Sequence, residues 1–291
     1  MTPFITPPTN STPERVVLFP KDSLPEASFL PPSTVTMLGV AFHPVSQAEC
    51  LLMIEKFIAE KRPKQICLAN AYTVAMAQHD AGLNTLLQNS ALVLADGMSI
   101  VWGGRWIGAK LPQRIPGPDL MEALCRRASR NAYRIFLMGT SDDTLRKLQD
   151  KLLRLCPGLH IVGAYSPTMC DRLGEEETQK IIGLLESARP DILFIGMSCP
   201  KQEKWIADNL SRLPVPVSLG VGAAFDFLSG NIPRAPHWLR EIGLEWLYRL
   251  YREPRRLWKR YLLGNLVFLT LLALETIKIR LPKRQGGTTR S

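Results

Sequence analysis

Short apolar runs alternate with longer stretches in which apolar residues return every three or four positions. The runs at 65–68, 92–94, 134–138, 160–165, 191–195 and 216–219 predict buried strands, and 34–42 is strand-like as well. Between them, 48–60 places Leu51, Leu52, Ile54, Phe57 and Ile58 at helical spacing. Ser46, with Glu49 three residues on, predicts a capping box at its start. Helices are also expected over 71–78, 83–89, 98–107, 119–131, 142–155, 174–189 and 202–210. Strands separated by helices of this length predict an α/β fold, a mostly parallel sheet with helices on both faces. No internal repeat is visible.

The two ends break this pattern. Residues 1–34 hold eight of the 23 prolines and show neither period, as expected of a disordered Pro-rich leader. Met1 is not followed by a basic cluster and an apolar stretch, so no signal peptide is expected. The α/β body is expected over 35–236 and a helical appendage over 237–291. In the appendage, 244–252 reads as a helix of aromatics and arginines that stops near Pro254. At about 100° per residue, Leu257, Trp258, Tyr261 and Leu262 then fall on one side. Arg255, Arg256, Lys259 and Arg260 fall on the other. The apolar run 262–274 is too short for a ~30 Å hydrocarbon core, which takes about 20 residues. It predicts shallow insertion into a membrane interface, with a packed core helix or a span as the alternatives.

Charge sharpens that reading. The net charge is +10, and from Arg240 to Ser291 twelve Lys/Arg stand against four Asp/Glu, so the body is close to neutral and the appendage cationic. Nucleic acid is not the expected partner, because phosphate binding needs no apolar run. An anionic membrane surface satisfies both features. The six cysteines form no CxxC pair and fit reduced core thiols of a cytosolic protein. The four histidines are scattered without ligand spacing, so neither a metal nor a cofactor is expected.

Chemistry is expected where strands end, since open α/β sheets bind ligands beyond the carboxyl ends of their strands. The run 92–94 empties into Ala95-Asp96-Gly97, which makes Asp96 the candidate catalytic carboxylate. Arg114, Gly117 and Asp119 add a cation, a tight turn and a second acid. Gly139-Thr140-Ser141-Asp142 places a glycine and hydroxyls at a helix start, a plausible phosphate or ribose contact. Gly196 to Glu203 brings backbone donors, Lys201 and Gln202; Gly220-Val221-Gly222 brings flexible backbone. Each loop alone is weak, but four in one sheet point to a nucleotide-type ligand. Structural readings compete: Asp96 as a helix cap, Arg114 paired with a surface carboxylate, Asp119 as the N-cap of its helix, Asp226 as a buried structural acid. Trp246, Tyr248 and Trp258 read as packing or interfacial anchors. A GxGxxG with an acid about twenty residues on is absent, which disfavours an NAD-type oxidoreductase. A sugar-nucleotide-binding scaffold without catalysis remains a rival.

The order of motifs is more specific than any one of them. Ala95-Asp96-Gly97, Arg114-Ile115-Pro116-Gly117-Pro118-Asp119-Leu120 and Pro200-Lys201-Gln202-Glu203-Lys204-Trp205 are followed by Gly220-Val221-Gly222-Ala223-Ala224-Phe225-Asp226. Arg234-Ala235-Pro236, Gly243-Leu244-Glu245-Trp246-Leu247-Tyr248-Arg249 and Pro254-Arg255-Arg256 come after. From about Val35 to Arg260 the chain resembles the WecG/TagA/CpsF glycosyltransferases. That resemblance implies a Rossmann-like body and inverting, metal-independent transfer of a sugar from a UDP-sugar donor. N-acetylmannosamine, its uronic acid or glucose would be transferred to a sugar on a polyprenyl diphosphate at the cytoplasmic membrane face. It implies Asp96 as general base and Asn70, Arg114 and Gln202 at ligand-contacting positions. It further implies Arg249, Arg256 and Lys259 as appendage cations that neutralise diphosphate. Lys259 stands where a relative has arginine, and Leu68 where one has threonine. Relatives associate through the body, which leaves a homo-oligomer open.

Overall fold

The computed structural model describes residues 33–168 and 172–280, without the side chains of Arg256, Arg260, Leu263 and 278–280. The expected leader therefore lies outside the described residues except for its last two, and Arg256 is described by its backbone alone.

Six strands form one parallel sheet: β3 (Lys64–Ala69), β4 (Leu92–Ala95), β5 (Arg134–Gly139), β6 (His160–Tyr165), β7 (Ile192–Gly196) and β8 (Val217–Gly220). Their order across the sheet is β4-β3-β8-β7-β5-β6. The central strands show no polar alternation because both faces are buried. Ile66, Leu68, Leu92, Leu94, Ile135, Leu137, Ile192, Phe194, Val217 and Leu219 enter one core. It is covered by α1 (Gln47–Glu60), α5 (Gly117–Asn131), α6 (Asp142–Leu155) and α9 (Ala224–Ser229). The intervening residues face the other side, where two smaller cores form. Over β3 and β4 lie α2 (Ala71–Ala77), α3 (Ala81–Asn89) and α4 (Met98–Trp106). Over β5 and β7 lie α7 (Glu175–Ala188) and α8 (Lys201–Asn209).

Local sequence explains several element starts. Ser46 and Glu49 form the expected capping box of α1, and Asp80 and Ser141 cap α3 and α6. Residues 34–42 differ from expectation. They make not a strand of the main sheet but an antiparallel hairpin, β1 (Val35–Met37) and β2 (Val40–Phe42). Leu38 and Gly39 both take positive φ at its tip, +51° and +75°, as a two-residue hairpin turn demands. A leucine is costly there, and two polar contacts hold it. Gln78 Nε2 donates to the Leu38 carbonyl at 2.7 Å, and the Leu38 N–H donates to the Glu275 carboxylate at 3.1 Å.

Glu275 belongs to the C-terminal segment, which comprises α10 (His237–Glu241), α11 (Glu245–Arg252), α12 (Pro254–Trp258) and α13 (Gly264–Arg280). Between α12 and α13 the chain makes a π turn over Lys259–Leu263. Leu257, ahead of that turn, is buried, while Trp258 and Leu262 are exposed. The apolar run continues to Arg280 as helix, and its Phe268 and Leu272 sit fully buried in the core over β3 and β4.

Beyond the hairpin, His43 closes the edge strand. Its N–H donates to Val93 O at 2.9 Å, and its Nδ1 accepts the Val93 N–H at 3.0 Å. Burial holds the imidazole below its ordinary pKa, and only the neutral ring can accept. The unfolded chain thus binds this proton more readily than the folded one. The contribution is whole above about pH 6.5 and is lost as pH falls below it. His43→Asn, which keeps an acceptor but cannot titrate, should flatten the fall in denaturation midpoint between about pH 7 and 5. Phe268→Ala should cost about 3–5 kcal/mol, seen as a lower midpoint for the whole body. An unchanged midpoint would mean that α13 does not support the core.

Candidate active site

The carboxyl ends of β4, β3, β8, β7 and β5 lie side by side, and each empties into one of the strand-end loops. Asp96, Asn70, Gly222, Met197 and Thr140 follow those ends as a row. At about 4.8 Å per strand step it runs roughly 19 Å. Neighbouring connections leave to opposite faces, β3 to α2 and β8 to α9, which opens a crevice between them.

Asp96 is held at the edge of this row. Its N–H donates to Ala69 O at 3.0 Å, and Asn70 Nδ2 donates to its Oδ2 at 3.3 Å. Asn70 is also the N-cap of α2, its Oδ1 accepting the N–H groups of Tyr72 and Thr73 at 3.1 and 3.2 Å. With the oxygen committed to the helix end, the amide nitrogen faces the carboxylate. Gly97 follows at φ 132°, ψ 153°, a conformation essentially reserved for glycine. It is itself the N-cap of α4, which has no side-chain cap, so Asp96 does not serve as the cap of that helix.

Arg114 reaches this corner because the Ile115 N–H donates to Ala95 O at 2.7 Å. Its Nη2 donates to the Arg240 carbonyl at 2.7 Å, and its Nη1 lies 3.4 Å from Glu245 Oε2. Glu245 Oε1 is 3.5 Å from Arg234 Nε, and Arg234 Nη1 donates to Asp119, which lies 3.8 Å from Arg240. Asp119 is thus not the N-cap of α5, a place taken by Pro116, but the acid of an ion cluster. Burial alone would lower the Arg234 pKa, yet Asp119 and then Glu245 hold it above its ordinary value. Three guanidinium groups face two carboxylates, leaving one positive charge in excess. Arg234 Nη2, Arg240 Nε and Arg249 Nε are buried and find no hydrogen-bond partner among the described residues. Beside the cluster opens a cavity of about 740 Å³, whose wall includes Arg126, Lys151, Phe227, Arg234 and Arg240, but not Asp96 or Asn70.

The other sequence-predicted residues take supporting places. A Cβ on Gly117 would sit 3.2 Å from Leu68 Cδ1 and Val221 O, so its absence lets α5 start against the ends of β3 and β8. Gly139 pairs in register with Gly196, and Thr140 turns the chain at φ 56° into the Ser141 cap, its carbonyl accepting from Ser166 Oγ at 2.6 Å. Lys201 opens α8. Gln202 is only 3% exposed: its Oε1 accepts the Gly222 N–H at 3.1 Å and its Nε2 donates to Glu203 Oε1 at 2.8 Å. It braces the β8 loop. The Arg249 guanidinium stacks 4.9 Å from the Phe227 ring, and the exposed Lys259 places Nζ 5.6 Å from the Trp258 ring. Asp226 is half-buried. Among the described residues, no group of three or more His, Cys, Asp or Glu comes together to hold a metal.

Comparison with known proteins fixes the family. The sequence profile of the glycosyl transferase WecG/TagA/CpsF family matches residues 35–282. The chain belongs to that family. A Bacillus subtilis (strain 168) protein, an N-acetylglucosaminyldiphosphoundecaprenol N-acetyl-beta-D-mannosaminyltransferase, is 32% identical over 222 residues, 76% of this chain and 84% of that protein. A Staphylococcus aureus (strain MW2) protein of the same name is 28% identical over 255 residues, 86% of this chain and 96% of its own.

The family match extends through Arg234, Arg240 and Glu245, whose pairing no local motif announces. The available signal was an acid, Glu245, set between Arg240 and Arg249. Glu245→Ala would leave Arg114 without this carboxylate and Arg234 with Asp119 as its remaining one. It should destabilise the protein by about 1–3 kcal/mol and speed limited proteolysis between α10 and α12, as followed by mass spectrometry.

Proposed function

We propose that this glycosyltransferase moves N-acetylmannosamine, a related N-acetylhexosamine or glucose from a UDP-sugar to a sugar on a polyprenyl diphosphate, with inversion and without a metal. It would act at the cytoplasmic face of a membrane during exopolysaccharide, capsule or cell-wall polymer synthesis. The observation that carries this reading is the Asp96 carboxylate, oriented by Asn70 at the end of a row of ligand-type loops. The relatives' names, which specify a lipid-diphosphate acceptor and a β-linked N-acetylmannosaminyl product, support it.

In this reaction the acceptor hydroxyl oxygen attacks the anomeric carbon opposite the leaving group. The bond from that carbon to the phosphate oxygen breaks, and UDP departs with the electron pair. Asp96 takes the hydroxyl proton, and one carboxylate suffices because inversion forms no covalent sugar–enzyme intermediate. The positive excess around Arg114, Arg234 and Arg240, with Arg249, Arg256 and Lys259, suits a developing diphosphate charge without a metal. Gly139, Thr140 and Lys201 would approach the nucleotide. Gly117, Asp119 and Gln202 would hold the loops that carry the ligand.

Asp96→Asn should lower turnover about 10²–10⁴-fold while leaving UDP-sugar binding within a few-fold of wild type. Both are read with a panel of UDP-sugars and a polyprenyl-diphosphate N-acetylglucosamine acceptor. Product anomeric configuration by NMR tests inversion, and near-normal turnover by the variant would remove Asp96 from the mechanism.

A further inference from the structure

Helix α4 begins two residues after Asp96 and has two unlike faces. Ile100, Val101, Gly103 and Gly104 are buried, whereas Trp102 and Trp106 are 44% and 53% exposed with Arg105 between them. Tryptophans one helical turn apart on an outward face have no use in the core of the body.

The neighbour of α4 is α13. A Cβ on Gly103 would lie 3.0 Å from the Phe268 ring and 3.2 Å from Leu272, so the missing side chain lets the two helices meet closely. Gly264, Phe268, Leu272 and Thr276, four residues apart, face inward on α13. Its outward side carries Leu266, Val267, Leu269, Leu274 and Ile277, all exposed. The hydroxyl on that side, Thr270, donates back to its own helix at Leu266 O, 2.9 Å away. That face therefore offers hydrocarbon and no unsatisfied side-chain group, the requirement of a lipid-facing surface. No described helix is long and apolar enough to cross a membrane, so the face can only lie on one.

The chain next to these helices carries mainly positive charge. No acidic residue occurs between Asp96 and Asp119, or between Glu253 and Glu275. Arg105, Lys110, Arg252, Arg255 and Lys259 are exposed. Exposed tryptophans, an apolar helix face and a cationic rim together match an anionic bilayer interface. We propose that α4 and α13 form a single bilayer-contact face, with Trp102 and Trp106 of the catalytic body seated at headgroup level. The inference deepens the proposed function and rests on it for its purpose. At 1.5 Å per residue, the two tryptophans lie about 6 and 12 Å along α4 from Met98. Docking through them therefore sets the height of Asp96 above the lipid from which the acceptor would rise.

The test uses the full chain and vesicles of phosphatidylcholine with or without phosphatidylglycerol, so it needs no turnover. Wild-type protein should sediment with the anionic vesicles, and brominated lipid should quench its tryptophan emission. Trp102→Ser/Trp106→Ser should weaken partitioning at least about tenfold and lose most of the quenching. Leu266→Gln/Leu269→Gln/Leu274→Gln should weaken it similarly. Both should keep the wild-type denaturation midpoint and, with a soluble short-chain acceptor, wild-type transfer. Wild-type partitioning by both variants overturns the proposal. So does a drop in solution mass in either variant without lipid, which would make this face a contact between two copies. If partitioning is lost as expected but wild type transfers no sugar, the face stands and the proposed reaction falls.

Discussion

Glu245 sits between Arg114 and Arg234, and through that pairing the C-terminal segment is held to the turn beside Asp96. Without it Arg114 would keep the Arg240 carbonyl, and Arg234 would depend on Asp119 for its countercharge. The carboxylate thus does more than cancel charge: it fixes where two guanidinium groups stand relative to one another. Because the acids are outnumbered, the pairing immobilises the cations without exhausting their positive field. Electrostatic stabilisation of a leaving anion depends on such pre-set charges.

The cluster can form only because of what the sheet permits. Strands buried on both faces leave no side chain free to meet a ligand, so chemistry is confined to the strand ends. There, glycines and one asparagine do the positioning. Asn70 serves the start of α2 with its oxygen and Asp96 with its nitrogen, so a single amide links the fold of a helix to the orientation of a carboxylate. Gln202 does the analogous service for the β8 loop from a buried place. Two amide side chains are thereby supports for the strand-end loops.

Strand and helix order was legible because periodicity survives in α1, α5 and α6, and because apolar runs as pure as 92–94 leave few alternatives. The Asp96 loop was legible for a similar reason: an acid and a glycine close a buried strand. What could not be read was pairing at long range. Nothing around Glu245 names Arg114, 131 positions away, and Asp119 looked like a helix cap because an acid in a first turn satisfies that rule locally. The hairpin at 35–42 hid in the same way, since a left-handed leucine at position 38 is disfavoured by every local preference. The π turn at 259–263 could not be read either, because a period of 3.6 assumes one angle per residue throughout.

That left-handed leucine has a consequence in time. Its N–H is held by Glu275, 237 positions further on, so a ribosome must deliver almost the whole chain before the hairpin tip can settle. Contacts of such separation form late and carry the largest loop-closure cost. The sheet and the Asp96 loop can organise during synthesis, but the lining formed by the first hairpin, α2 and α13 closes only when the last helix emerges. Prematurely ended chains would display an open apolar seam, marking them for chaperones and proteases.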